Sequence, residues 1–267
     1  LSDKDRGLMR NACARRGLTM GVAAPAELFQ RVVVEPAYKA VSAAIERAIV
    51  DGALPTGSPL PTETELAERF GVHRSTVREA IRQVEQEGLL QRREGRRLFA
   101  YLPGVQDLAP RAARLLLLQQ TTFQELWELA VSLEPLAASL AAQRAEPLDL
   151  QQLNENIAAS ESTQEDAALV RLDVEFHALV GRATHNHALM LAREPIGLLY
   201  SPTLLQIFRH LPQAKVRNLA AHRHIVDALR ARRADAAAEW TRKHMIDFQR
   251  GFAMAGLDMA TPIATPT

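Results

Sequence analysis

A chain of 267 residues that is 47% hydrophobic and 24% charged, with a net charge of +1, has the apolar content for real cores and is no disordered acidic or basic tail. Aromatic residues make up only 5%, alanine and leucine recur throughout, and the expected fold class is mainly α. The single Cys13 excludes an internal disulfide framework and a multi-cysteine zinc ribbon, and no apolar run nears the ~18 residues of a membrane span, which together suggest a cytoplasmic protein.

Residues 1–34 are basic and polar without a signal-type apolar core, so they are expected to form a disordered tail, with Met20 a possible start of translation. From Tyr38, apolar residues Val41, Ala44, Ile45, Ala48 and Ile49 repeat at helical spacing up to Gly52. Thr62 stands three residues before Glu65, a capping box that opens a second helix running to about Phe70. Gly71 supplies a left-handed turn, and a third helix follows with Arg74, Arg78 and Arg82 along one row and Val77, Ala80, Ile81 and Val84 along another, ending at Gly88. The segments "LLQRR" and "RLFAY" flank a glycine bend at hairpin spacing.

A helix, a helix-turn-helix and a small β-hairpin within residues 35–102 describe a winged helix-turn-helix unit. Between 69 and 97 lie eight arginines against four glutamates, a local positive excess suited to phosphate. The second helix of such a motif enters the major groove with its leading residues on the base edges, where an arginine can bond guanine through two nitrogens. Arg74, Ser75 and Arg78 occupy that end. The stretch "GSPLPTETELAERFGVHRSTVREAIRQVEQEGLL" resembles the GntR family of bacterial transcription regulators. The resemblance places Thr64, Arg74, Ser75, Thr76 and Arg78 at DNA-contacting positions and Gly95 with Arg96 at the wing tip. His73 stands where the family usually has a capping serine, Thr64 where an arginine often meets phosphate, and Arg97 where a wing glycine is usual.

"LPGVQDLAP" reads as a linker over 103–109, because two prolines and a glycine interrupt the helical beat. Beyond it the periodicity gives helices over about 110–119, 122–144, 148–160, 165–183, 187–200, 212–231 and 234–253, an all-helical domain over 110–254, with 255–267 expected to be a disordered tail. No glycine-rich phosphate loop and no G-x-S-x-G elbow appears, and Cys13 lies in the tail, so nucleophilic catalysis has no constellation and the protein is expected not to be an enzyme. Asp173 and His177, four apart, share one helical face. His222 and His244 each lie about eleven residues from the turn joining the last two helices, at one height on an antiparallel pair. Three nitrogens and a carboxylate suit a divalent metal, zinc first and nickel or manganese next, with open positions for water or a ligand. His224 competes with His222 but points to another side of its helix; His185, His187 and His210 suit surface or capping roles.

"LVRLDVEFHALVGRATHNHAL" with "AAHRHIVDALRARRADAAAEWTRKHM" resembles the FCD effector domain of the FadR subfamily of GntR regulators. The resemblance implies a metal on Asp173, His177, His222 and His244, and a small organic-acid effector in a pocket beside it. Ala130 stands where many members carry an arginine that holds the effector's carboxylate. It also implies a homodimer on a palindromic double-stranded operator, usually as a repressor. A metal-dependent hydrolase and a regulator with a purely structural metal are the alternatives; Glu175, the nearest candidate base, faces away from Asp173 and His177.

Overall fold

The computed structural model describes residues 35–263 except 94 and 96; the tail expected over 1–34, residues 264–267 and the wing residue Arg96 lie outside the described residues. The chain divides into two compact units after Tyr101.

In the first unit, α1 (Ala37–Val50) buries Val41, Ile45 and Ile49 at helical spacing. Helix α2 (Glu63–Phe70) starts on the Thr62–Glu65 capping box: the Thr62 N–H donates to Glu65 Oε2 at 2.7 Å, and the Glu65 N–H donates to Thr62 Oγ1 at 3.3 Å. Gly71, at φ 65°, closes it in the left-handed conformation that glycine adopts without a Cβ clash. Helix α3 (Arg74–Gln86) buries Val77, Ala80, Ile81 and Val84 against α1, so its arginine row faces outward. Its N-cap His73 makes no side-chain capping bond. Strands β1 (Leu90–Arg93) and β2 (Arg97–Ala100) pair antiparallel from Leu90↔Ala100 to Arg93↔Arg97.

Among its described residues the second unit is a bundle of seven helices: α4 (Val105–Leu118), α5 (Phe123–Arg144), α6 (Pro147–Ser162), α7 (Asp166–Arg182), α8 (His187–His210), α9 (Pro212–Arg230) and α10 (Ala234–Met254). Two apolar clusters hold it. One gathers Ala137, Ala141, Leu153, Phe176 and Leu229; the other gathers Phe123, Ala130, Leu204, Phe208 and Phe252. The α9–α10 turn places Arg232 at φ 56°, and its guanidinium donates to the Ala145 carbonyl at 2.6 Å, capping the end of α5.

Three sequence expectations need correction. The linker over 103–109 is helix from Val105: Asp107 accepts from the Gly104 N–H at 2.8 Å, and burial of Ala109 and Ala113 offsets the one amide donor that Pro110 removes. Helix α8 does not stop near 200 but passes Pro202 to His210, because Leu204, Ile207 and Phe208 bury its last turns. The supposed tail 255–267 is packed as far as residue 263. The amides of Phe123 and Gln124, unsatisfied at the start of α5, donate to the carbonyls of Thr261 and Met259, and Ile263 is buried.

Candidate functional site

Two constellations carry chemistry, one in each unit. On the first, Thr64, Arg74, Ser75 and Arg78 are exposed, Thr76 is half-buried, and Gly95 is exposed at φ 78°. Arg78 is not free: its Nε and Nη2 donate to the Glu63 carboxylate at 3.1 and 2.8 Å, and Arg74 Nη2 lies 3.8 Å from the same group. Arg78 holds the Glu63 carboxyl below the ordinary carboxylate range. The pair spans the helix-turn-helix, from the first turn of α2 to the second turn of α3. It fixes the direction of Arg78 before any nucleic acid arrives.

In the second unit, α7 supplies Asp173 and His177, α9 supplies His222 and α10 supplies His244. One ligating atom from each lies within 4.8 Å of all the others. His177 Nε2 stands 3.3 Å from His244 Nε2, and His222 Nε2 stands 3.4 Å from Asp173 Oδ1. Donors at metal bond lengths of about 2.1 Å sit roughly 3.0–3.4 Å from their neighbours, so these spacings need little adjustment to hold an ion. His222 Nε2 is buried without a hydrogen-bond partner, a costly state that a metal bond would relieve. Burial, with the neighbouring His244 and His177, pushes the His222 imidazole well below its ordinary range, while burial and His177 take His244 down to about 3. Both rings therefore stay neutral, the form a metal requires. Phe176 stacks on His222 with ring centroids 3.7 Å apart and fixes its plane. His224 lies outside the cluster, exposed and stacked on Trp240 at 3.9 Å.

The hydrogen bonds around these ligands involve residues that sequence reasoning missed. Glu134 on α5 accepts from, or shares a proton with, His177 Nδ1 at 3.0 Å, which leaves Nε2 directed at the cluster. Arg193 on α8, only 2% exposed, donates from Nε to the other Glu134 oxygen at 2.9 Å and from Nη1 to Glu194 at 2.8 Å. Burial alone would raise the Glu134 carboxyl, but Arg193 and His177 outweigh it and hold the group down to about 2. Asn218 on α9 donates to Asp173 Oδ1 at 2.7 Å and orients that carboxylate. One signal was available: Glu134 interrupts the buried stripe Ala130, Ala137, Ala141, and Arg193 interrupts Leu189, Ile196. Glu175 is exposed and bonded by Asn156, away from the cluster, as its helical phase required.

Beside the cluster opens a cavity of about 40 Å³, walled by Ala130, Glu134, His177, Arg193, Tyr200 and His244 among others. Ala130 contributes no polar group to it, and among the described residues that line it the guanidinium is that of Arg193.

Residues 37–99 match the family model described as bacterial regulatory proteins, gntR family, and residues 125–247 match the FCD domain. The Glc operon transcriptional activator of Escherichia coli (strain K12) is 30% identical over 220 residues, covering 79% of this chain and 86% of that protein. The galactonate operon transcriptional repressor of the same strain is 29% identical over 203 residues, covering 72% and 86%. The solved structure of Streptococcus agalactiae GntR superposes with a TM-score of 0.61 at 26% identity, covering 80% of this chain and 99% of that one.

Proposed function

Because the chain belongs to the GntR family of DNA-binding transcription regulators and carries an FCD domain, we propose that it is an effector-controlled regulator whose metal centre forms one wall of the sensing pocket. The observation that carries this reading is the convergence of Asp173, His177, His222 and His244 on one point beside a cavity. These four side chains would hold a divalent ion, zinc first by the nitrogen-rich donor set, and the ion would supply a Lewis-acid anchor for an anionic oxygen. A small organic acid is the effector class such an anchor selects. The remaining polar groups of the wall then orient what the anchor holds.

On the DNA side, Arg74, Ser75, Thr76 and Arg78 are proposed to meet base edges and phosphates at the leading end of α3, with Thr64 and the wing residues Gly95 and Arg96 on the backbone. A homodimer would read a palindromic operator, since one recognition helix spans too few bases for specificity alone. Repression is the proposed sign, the role named for the galactonate-operon relative; the Glc-operon relative is named an activator, so promoter transcription with and without effector decides it. No helix among the described residues is long and apolar enough to cross a membrane, consistent with a cytoplasmic regulator. For the hydrolase alternative, Glu175 is bonded by Asn156 and faces away from the cluster, and the nearer carboxylate, Glu134, is tied to His177 and Arg193.

The test is a pair of measurements on the full chain: metal content after gentle purification, and operator affinity with and without chelator at fixed salt. One ion per subunit and a specific, salt-sensitive operator complex are expected. Metal-free protein that ignores added zinc overturns the sensing reading, and equal affinity for operator and unrelated DNA overturns the regulatory one.

A further inference from the structure

The four clustered side chains stand between two cavities that differ in their access to solvent. His177 and His244 line the inner one, and none of the described residues on its wall is exposed. A second cleft, of about 330 Å³, ends on Asp173, Asn218 and His222. Its rim carries Glu161, Gln164, Pro212 and Val216, all exposed, Val216 to 71%. Asp173 and Asn218 line both cavities, so the cluster forms the partition between them. Solvent therefore approaches through the cleft, whose floor holds the Asp173 carboxylate and the His222 imidazole with its unpartnered Nε2.

Helices α7 and α9 supply facing walls of this cleft and are tied to each other above its floor. The Lys215 ammonium donates to the Asp166 carboxylate, and the two side chains remain 27% and 24% exposed. Asp166 stands seven residues before Asp173, and Lys215 seven before His222. The tie and the floor thus share one face of each helix, two turns or about 10 Å apart. A second pair, Arg223 Nη2 to Glu161 Oε1 at 2.5 Å, joins α9 to the end of α6. The connector 163–165 between α6 and α7 is therefore held to α9 at both of its ends. Pairs with this much exposure contribute little each, so the mouth opens at small cost. Arrival through the inner cavity would instead pass walls that include the buried Glu134–Arg193 pair, which is far costlier to part.

We propose that this cleft is the route by which a divalent ion reaches and leaves the cluster, and that the Lys215–Asp166 pair is the latch that sets the rate of exchange. The proposal rests on the metal centre put forward above. Asp173 and His222 would be the first donors to replace the waters of an arriving ion, and His177 and His244 the last. A latch of this kind acts on the passage and not on the bound state. Opening it speeds entry and exit by one factor and leaves the affinity where it was.

The experiment is stopped-flow exchange of zinc on the full-length protein: uptake from a zinc buffer by the metal-free form, and release from the loaded form to an excess of chromophoric chelator. Lys215→Met and Asp166→Asn both break the latch, but the first makes the mouth one charge more negative and the second one charge more positive. Uptake and release should each quicken about two- to fivefold in both variants, the factor expected for a pair of this exposure, with the equilibrium affinity for zinc unchanged. Val216→Trp adds bulk at an exposed rim position that the fold tolerates, and should slow both rates together. Uptake that quickens in Lys215→Met and slows in Asp166→Asn would mean that charge at the mouth steers the ion, and the latch would be overturned. A variant that alters release alone, and with it the affinity, would place Lys215 or Asp166 in the support of the bound ion and would overturn it equally. Zinc content of the wild type is measured first. Protein that takes up no zinc removes the proposed metal centre and this route with it, whereas protein that loads one ion and exchanges it at rates none of the three variants alters removes the route alone.

Discussion

Replacing Arg193 by methionine keeps the length of the side chain and removes its charge, leaving Glu134 as a buried carboxylate whose remaining partner among the described residues is His177. Arg193 is 2% exposed and Glu134 6%, with Nε and Oε1 2.9 Å apart, so the carboxylate left behind is removed from bulk water. Removing one member of a buried pair costs about 3–5 kcal/mol, mostly the penalty on the charge left behind. In a unit running from Leu102 to Thr267, each kcal/mol lowers the melting temperature by about 2–4 °C, giving an expected fall of roughly 6–20 °C. The double variant Arg193→Met with Glu134→Gln should recover a large part of that loss, because the orphaned charge is gone and the amide oxygen still meets His177 Nδ1. Thermal unfolding followed by far-ultraviolet circular dichroism, with zinc held in the same excess throughout, measures wild type, the two single variants and the double variant. A single variant within 2 °C of wild type, or a double variant whose loss equals the sum of the two singles, refutes the account of the network as a coupled buried pair.

Glu134→Gln on its own should weaken zinc binding about 10- to 100-fold, read by competition with a chromophoric chelator, since it removes the carboxylate that orients His177; unchanged affinity would make Glu134 a packing residue only. Excess zinc should raise the melting temperature of the wild type, by about 2.7 kcal/mol of stabilisation at a hundredfold excess over the dissociation constant, and His222→Ala should abolish that response while His224→Ala keeps it. The opposite pattern would mean that the exposed imidazole on Trp240 is the ligand. Arg78→Ala should lower operator affinity about tenfold or more and relax preference at one base pair, whereas Glu63→Gln should leave the number of phosphate contacts, and hence the slope of affinity against salt, unaltered. Gel-shift titrations at several salt concentrations against operator and single-base variants check both, and an unchanged base preference in Arg78→Ala removes that residue from the reading set.

The elements that local chemistry specifies were legible in the chain. Thr62 with Glu65 and Gly71 bracket α2 through bonds and a backbone conformation that involve no distant residue, and the arginine row of α3 is the complement of its buried stripe. His222 and His244 were placed by counting from a shared turn, which works because two straight helices rise equally from one bend. The segments misread were those where distant packing overrides a local stop signal. Pro110 and Pro202 each delete one amide donor, and burial of the surrounding apolar residues outweighs that loss; the residues after α10 are ordered by the free amides of α5, which lie more than a hundred positions earlier.

The same distinction explains why the four clustered residues were visible and their supports were not. Asp173 and His177 stand a turn apart on one helix, but Glu134 meets His177 across 43 residues and Arg193 across 59, and neither spacing has a period. What the sequence did carry was an anomaly in each stripe: a carboxylate where α5 should be alanine, a guanidinium where α8 should be leucine. A buried charge is tolerated only when paired, so two such anomalies of opposite sign in helices of one bundle require that those helices touch there. Their meeting point is beside His177. The arginine absent at Ala130 therefore does not leave the pocket without a guanidinium, but it changes what the guanidinium is for. An arginine at position 130 would face the ligand with its charge unspent. Arg193 arrives already neutralised by Glu134 and Glu194, so on the proposed reading it would supply direction and a hydrogen bond rather than net attraction, and charge recognition would fall to the metal.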